Sequence, residues 1–147
     1  MANTTYSEVI ELALHILHDY KLDGTIINED IDTLNKVFAP YIKYAAGELE
    51  NFEIDFEIAN RDDVNYTFNS VLTDGQQLFV AKLIVIGYIS REVNDIMQMK
   101  LHLQTGDFKT FAERNNLEGK QDLLNTLKEE INYKITKRGY KGFDWGQ

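Results

Sequence analysis

The chain has 147 residues, 44% of them hydrophobic, and a formal net charge of −9. That length sets the expectation of one domain with a single sizeable core, and the hydrophobic content excludes an intrinsically disordered polymer. The acidic balance argues against general affinity for nucleic-acid phosphates or an anionic membrane, both of which need clustered Lys and Arg. With no cysteine there is no disulfide framework and no thiolate metal or redox site. The polar start Met1-Ala2-Asn3-Thr4-Thr5 carries no basic and apolar signal pattern. The run Leu83–Ile89, bracketed by Lys82 and Arg91, is far shorter than the ~20 residues that span a bilayer. The expectation is a soluble protein made and kept in a cytoplasm.

Thr5 and Glu8 form a capping box ahead of Val9, Leu12, Ala13, Ile16 and Tyr20, which recur at helical spacing. Asp23-Gly24 marks the turn that ends this first helix. Asn28 is the expected cap of a second helix, with Glu29 and Asp30 in its first turn. Ile31, Leu34, Phe38, Tyr41, Ile42, Ala45, Leu49 and Phe52 continue its stripe, and Pro40 predicts a kink or break near Ala39.

The period then changes to two. Phe52, Ile54, Phe56 and Ile58 alternate with Glu53, Asp55 and Glu57, and Val64, Tyr66 and Phe68 alternate again after a polar turn. This pattern predicts a β-hairpin over 52–69. Thr73 and Gln76 form a second capping box, opening a helix that is apolar on all sides from Leu83 to Ile89 and therefore surrounded by other elements. Gly87 in that run would let a neighbouring backbone come close. The helix is expected to reach Leu103, where Gln104-Thr105-Gly106-Asp107 stops it and a connector follows to Asn116. Asn115 or Asn116 caps the last helix, whose apolar face carries Leu117, Leu124, Leu127, Ile131 and Ile135. Lys134, Lys137 and Arg138 suit its C-terminal dipole, and Gly139 is the expected stop. The reading is a mainly α, four-helix domain over 1–138 around a buried central helix, followed by an extended C-terminal tail over 139–147.

A search for chemistry returns little. His15 and His18 lie three apart on one helix, but a closed metal site needs four ligands and no HExxH pairing is present, so exposed helix histidines are the simpler reading. Asp55, Glu57, Asp62 and Asp63 do not follow an EF-hand order and read as a solvated acidic face. No serine sits in a nucleophile elbow, and no phosphate-binding glycine loop is present. The expectation is no enzyme, no cofactor and no metal. The tail is different: Tyr140, Phe143 and Trp145 stand among glycines, which suits either folding back on the domain or anchoring in a partner's groove.

Several segments of the second half carry a resemblance. Phe68-Asn69 precedes a Leu72-Thr73 helix start; a strongly apolar helix ends at Met97-Gln98-Met99; Asp107-Phe108-Lys109 follows; and a last helix runs from Leu117-Glu118-Gly119-Lys120 to Glu130, with Tyr140 beyond. In this order they resemble the head–tail connector adaptors of tailed bacteriophages. The resemblance implies a structural virion protein of the neck, at the portal vertex, present in the host cytoplasm during assembly. Copies would form a ring, commonly of twelve, on the portal protein, extending the DNA channel and offering a surface to a tail-side neck or tail protein. DNA would pass through without specific binding. Tyr140, Phe143 and Trp145 would be the partner-binding residues. The alternative is an acidic cytoplasmic interaction module, monomeric or dimeric, that binds or inhibits a phage or host protein.

Overall fold

Two Thr side chains set where the principal helices begin. Thr5 accepts from the amide of Glu8 while the Glu8 carboxylate accepts from the amide of Thr5, and Thr73 and Gln76 repeat the exchange. The computed structural model describes residues 2–137. Among them are five α-helices: α1 (Tyr6–Asp19), α2 (Ile31–Asn51), α3 (Asp74–Gln98), α4 (Thr105–Arg114) and α5 (Leu117–Lys137), with single 3₁₀ turns at Ile26–Asn28 and Met99–Leu101. The fold is mainly α. The expected Gly139 stop and the tail lie outside the described residues.

Helix α3 is the hub, and α1, α2 and α5 all pack against it. Leu83, Ile84, Val85, Ile86 and Ile89 are buried, as their all-round apolarity requires. Both α2 and α5 run antiparallel to α3. On one side Tyr44 lies against Gly87 and Tyr41 reaches Arg91. On the other, Lys120 pairs with Glu92 at 3.0 Å and Lys82 with Glu130 at 2.8 Å. The close approach at Gly87 is made by a side chain rather than a backbone: a Cβ there would lie 2.7 Å from the Tyr44 ring. Leu123, which the expected α5 stripe omits, is fully buried beside Leu124, Leu127 and Ile131.

The expected β-hairpin over 52–69 does not form. Among the described residues strand pairing is limited to the isolated bridges Thr5↔Thr67 and Asp62↔Thr67. The backbone turns at Glu53, Glu57 and Tyr66, where φ is 58°, 59° and 56°, so no extended run survives. The alternation reports burial in the first limb, where Ile54, Phe56 and Ile58 point into the core while Glu53, Asp55 and Glu57 face water; in the second, Phe68 is buried but Val64 is 83% exposed. The segment pairs instead with the N-terminal stretch. The Tyr6 amide donates to the Tyr66 carbonyl at 2.9 Å, Thr4 to Ser70 at 3.0 Å, and Phe68 to Thr4 at 2.9 Å.

Three further expectations are revised. Asp30, not Asn28, caps α2, accepting from the Thr33 amide at 2.8 Å; Asn28 is spent in the preceding 3₁₀ turn. The connector between Leu103 and Asn116 contains α4, whose half-buried Phe108 and Phe111 and buried Ala112 pack toward α5 and the Met99–Leu101 turn. The domain thus has five helices rather than four. At its end Asn116, with φ 52°, accepts from the Gly119 amide at 3.3 Å to start α5, and occupies the space a Cβ on residue 119 would need.

Pro40 neither breaks nor ends α2, which is helical from Ile31 to Asn51 around it. Pro40 and Lys36 are both exposed, so the Lys36 carbonyl that loses its amide partner lies where water can hydrate it. Replacing Pro40 with Ala restores that hydrogen bond. The gain from helix propensity, about 3 kcal/mol, is offset by about 1 kcal/mol of restored unfolded-chain freedom. Pro40→Ala is expected to stabilise the fold by about 2 kcal/mol, read as a higher urea midpoint at unchanged slope.

Candidate interaction surface

The segment between α2 and α3 is held by a buried polar latch. Thr4 is 3% exposed, and its Oγ1 accepts from the Leu72 amide at 2.8 Å. Beside it the Tyr6 ring, fully buried, packs on Phe68 and Tyr66 with centroids 4.9 and 5.9 Å away. The Tyr6 hydroxyl donates to the Asp63 carboxylate, which also pairs with Arg61 at 3.5 Å. Asp62 turns the chain locally, accepting from the amides of Val64 and Asn65 at 2.9 and 3.0 Å. These amide bonds and the Asn65 side chain hold its carboxyl below the ordinary value. The acidic residues therefore serve as turn formers and latch members. Among the described residues no group of three or more His, Asp or Glu is placed to hold a metal ion.

The latched segment and the end of α2 enclose an open groove of about 550 Å³. Its floor is apolar, from Ala46, Gly47 and Leu49 on α2 and Ile54, Phe56 and Ile58 beyond it. Its rim is mostly acidic, with Glu50, Glu53, Asp55 and Glu57 against Lys43 and Arg61. Phe56 stands edge-on to Phe79 of α3, centroids 5.8 Å apart, so the floor is tied to the core. Periodicity picks out the floor residues as buried, but their assembly into a groove depends on the positive-φ turns at Glu53 and Glu57, which carry no glycine to announce them.

A second, polar cleft of about 430 Å³ lies where the α1–α2 turn meets α3 and the α4–α5 junction. Its charges are of both signs, and its central Lys120 and Glu92 are paired with each other. Tyr88 borders this cleft, and burial, then the charge and hydrogen bond of Glu92, push its phenol up to about 12. The two helix histidines are separated by their partners. His18 Nδ1 lies 2.9 Å from Asp23, and His15 faces Glu11 at 3.9 Å. The expected partner-binding residues Tyr140, Phe143 and Trp145 lie outside the described residues. The helix that leads to them ends with Tyr133 largely exposed and the Lys137 ammonium 5.4 Å from its ring. Among the described residues no helix is long and apolar enough to cross a bilayer.

Two predictions follow from the latch and the buried phenols. Thr4→Val keeps the shape of the side chain but strands a buried amide, and is expected to cost about 1–3 kcal/mol in a urea melt. The second concerns alkali. Burial raises the phenols of Tyr6, Tyr44 and Tyr88 above their ordinary 10.0, with Asp63, Glu48 and Glu92 respectively adding to the shift. The fold favours the neutral form, so this stability is fully present below pH 10 and is lost as pH rises beyond it. Thermal melts should therefore weaken progressively above that pH. Tyrosinate absorbance of the folded chain should show a late-titrating class among the eight tyrosines. A single titration near 10 in the folded state would contradict the burial.

Compared with known protein families, curated proteins and solved structures, the chain matches none of them.

Proposed function

We propose that this chain is a structural virion protein, a head–tail connector adaptor that forms a ring on the portal, extends the DNA channel and offers the tail its attachment surface. The observation that carries the reading is where the residues of the sequence resemblance fall. Phe68 and Leu72 are buried in the latch region, Thr73 caps α3, and Met99 opens the turn that ends it. Phe108 of the Asp107-Phe108-Lys109 segment lies 5.3 Å from the Lys100 ammonium. Gly119 is fixed by the Asn116 cap. The residues of the resemblance thus include core positions, Phe68 and Leu72, and helix-boundary positions, Thr73 and Met99, alongside exposed ones such as Asn69, Asp107 and Lys109.

The physical properties of the chain are compatible with this role. A net charge of −9 keeps a channel-lining ring from adhering to the DNA backbone. A ring requires a heterologous interface, in which one patch of each copy meets a different patch of the next. The tail aromatics Tyr140, Phe143 and Trp145 are the proposed anchors for that contact or for the portal, since aromatics seated in desolvated pockets dominate interface energies. In this role the chain is not an enzyme and takes no cofactor.

The test is assembly. Mixing the purified chain with portal rings of the same virus should give a complex of defined stoichiometry by sedimentation and negative-stain imaging. Replacing Tyr140, Phe143 and Trp145 together with Ala should weaken that complex by at least about tenfold, given at least ~2 kcal/mol for a seated aromatic. A chain that stays monomeric or dimeric beside intact portal rings would instead favour the acidic interaction module.

A further inference from the structure

The groove at the end of α2 has a floor of apolar side chains, an acidic rim and no described segment across it. The chain itself supplies a segment of complementary character. Residues 138–147 carry the cations Arg138 and Lys141, the single acid Asp144 and the aromatics Tyr140, Phe143 and Trp145. We propose that in the free protein residues 138–147 of the same chain dock in this groove, with aromatics on its floor and Arg138 and Lys141 toward Glu50, Asp55 and Glu57.

Three observations select this occupant over another molecule. The first is position. Helix α5 is antiparallel to α3, so its last described turn lies beside the first turns of α3. Helix α2 is antiparallel to α3 as well, which brings its C-terminal end, and the groove, to that same end of the domain. The second is length. Ten residues follow Lys137, and an extended chain of ten spans about 33–36 Å, more than two helix–helix spacings of about 10 Å. The third is charge. The stretch 48–63 holds Glu48, Glu50, Glu53, Asp55, Glu57, Asp62 and Asp63 against the single cation Arg61, whereas the segment 138–147 holds Arg138 and Lys141 against the single acid Asp144. A tethered segment meets its groove at an effective concentration in the millimolar range, far above that of a second copy in dilute solution.

Docking in cis would withhold the aromatic anchors until a partner competes for them. Only that consequence rests on the connector reading; the docking itself is a property of the isolated chain.

The experiment uses the full chain without portal. Trp145 is the only tryptophan, so its fluorescence reports the segment alone. The expected result is blue-shifted emission and several-fold weaker acrylamide quenching than for a free indole, both independent of protein concentration. Gly47→Arg is the blocking variant. A Cβ at Gly47 meets nothing within 4 Å, so the new side chain fits the domain and replaces a weak helix former, while its bulk and charge occupy the groove. It should shift Trp145 emission to the red and restore quenching, with far-UV circular dichroism and melting temperature at least those of the parent. Three outcomes would overturn the proposal: an exposed Trp145 in the parent, blue emission that survives Gly47→Arg in a folded protein, or a blue shift that grows with concentration and so reports a second copy. None of them bears on whether the chain assembles on a portal, which is read separately.

Discussion

The fold depends on desolvating a helix that cannot present any face to water through its middle turns. From Leu83 to Ile89 the side chains point outward at every angle around α3, and each apolar group left wet would forgo roughly 25 cal/mol per Å². Three helices are the least that can close that circumference, and α1, α2 and α5 provide them. The antiparallel course of α2 and α5 follows from how they are fixed: the Tyr41–Tyr88 ring contact and the Lys82–Glu130 and Lys120–Glu92 pairs lie at heights on α3 that fix register as well as direction. The two ion pairs are partly exposed and contribute little energy. Their effect is on register, since the burial they accompany is nondirectional.

What was readable in the sequence were features whose physics is local. The capping boxes at Thr5 and Thr73 work within one helical turn, so four residues suffice to identify them, and both are formed. The all-round apolarity of α3 is likewise a property of its own residues. Failures occur where tertiary context decides. Alternation over 52–58 and again over 64–68 says that every second residue of each run is buried, which is correct for Ile54, Phe56, Ile58 and Phe68 but not for Val64. Alternation cannot say that the chain turns through positive φ at Glu53, Glu57 and Tyr66, because these residue types are not the usual ones for that region. Helix α4 has too few apolar residues to announce itself and gains its stability from α5. Pro40 was given its intrinsic helix cost, yet α2 runs through it because Phe38, Tyr41 and Tyr44 on either side of it pack on α3 and the freed carbonyl lies on the wet side.

The same division explains the candidate site. The acidic residues around Asp62 are conspicuous in the sequence, and ligand binding is the obvious question to ask of them. Their hydrogen bonds give three of them local work: Asp62 closes a turn, Asp63 takes the Tyr6 hydroxyl, and Asp55 accepts from the Glu57 amide at 2.8 Å. Asp55, Asp62 and Asp63 thereby shape the segment that walls the groove. By bending the segment back over the end of α2, they leave an apolar trough between two stretches of chain that are far apart in character. A feature of this kind has no signature at fixed spacing, because its walls come from a helix face and from an irregular loop.

Charge distribution links that groove to assembly more tightly than total charge does. A uniformly acidic protein would repel copies of itself, and a closed ring would then need apolar contacts large enough to overcome the repulsion. Here the charge is uneven along the chain: 48–63 carries seven acids and one base, whereas 138–147 carries Arg138 and Lys141 against Asp144. Contacts between unlike stretches are favourable and contacts between like stretches are costly, so charge placement decides which surfaces of such a chain can meet.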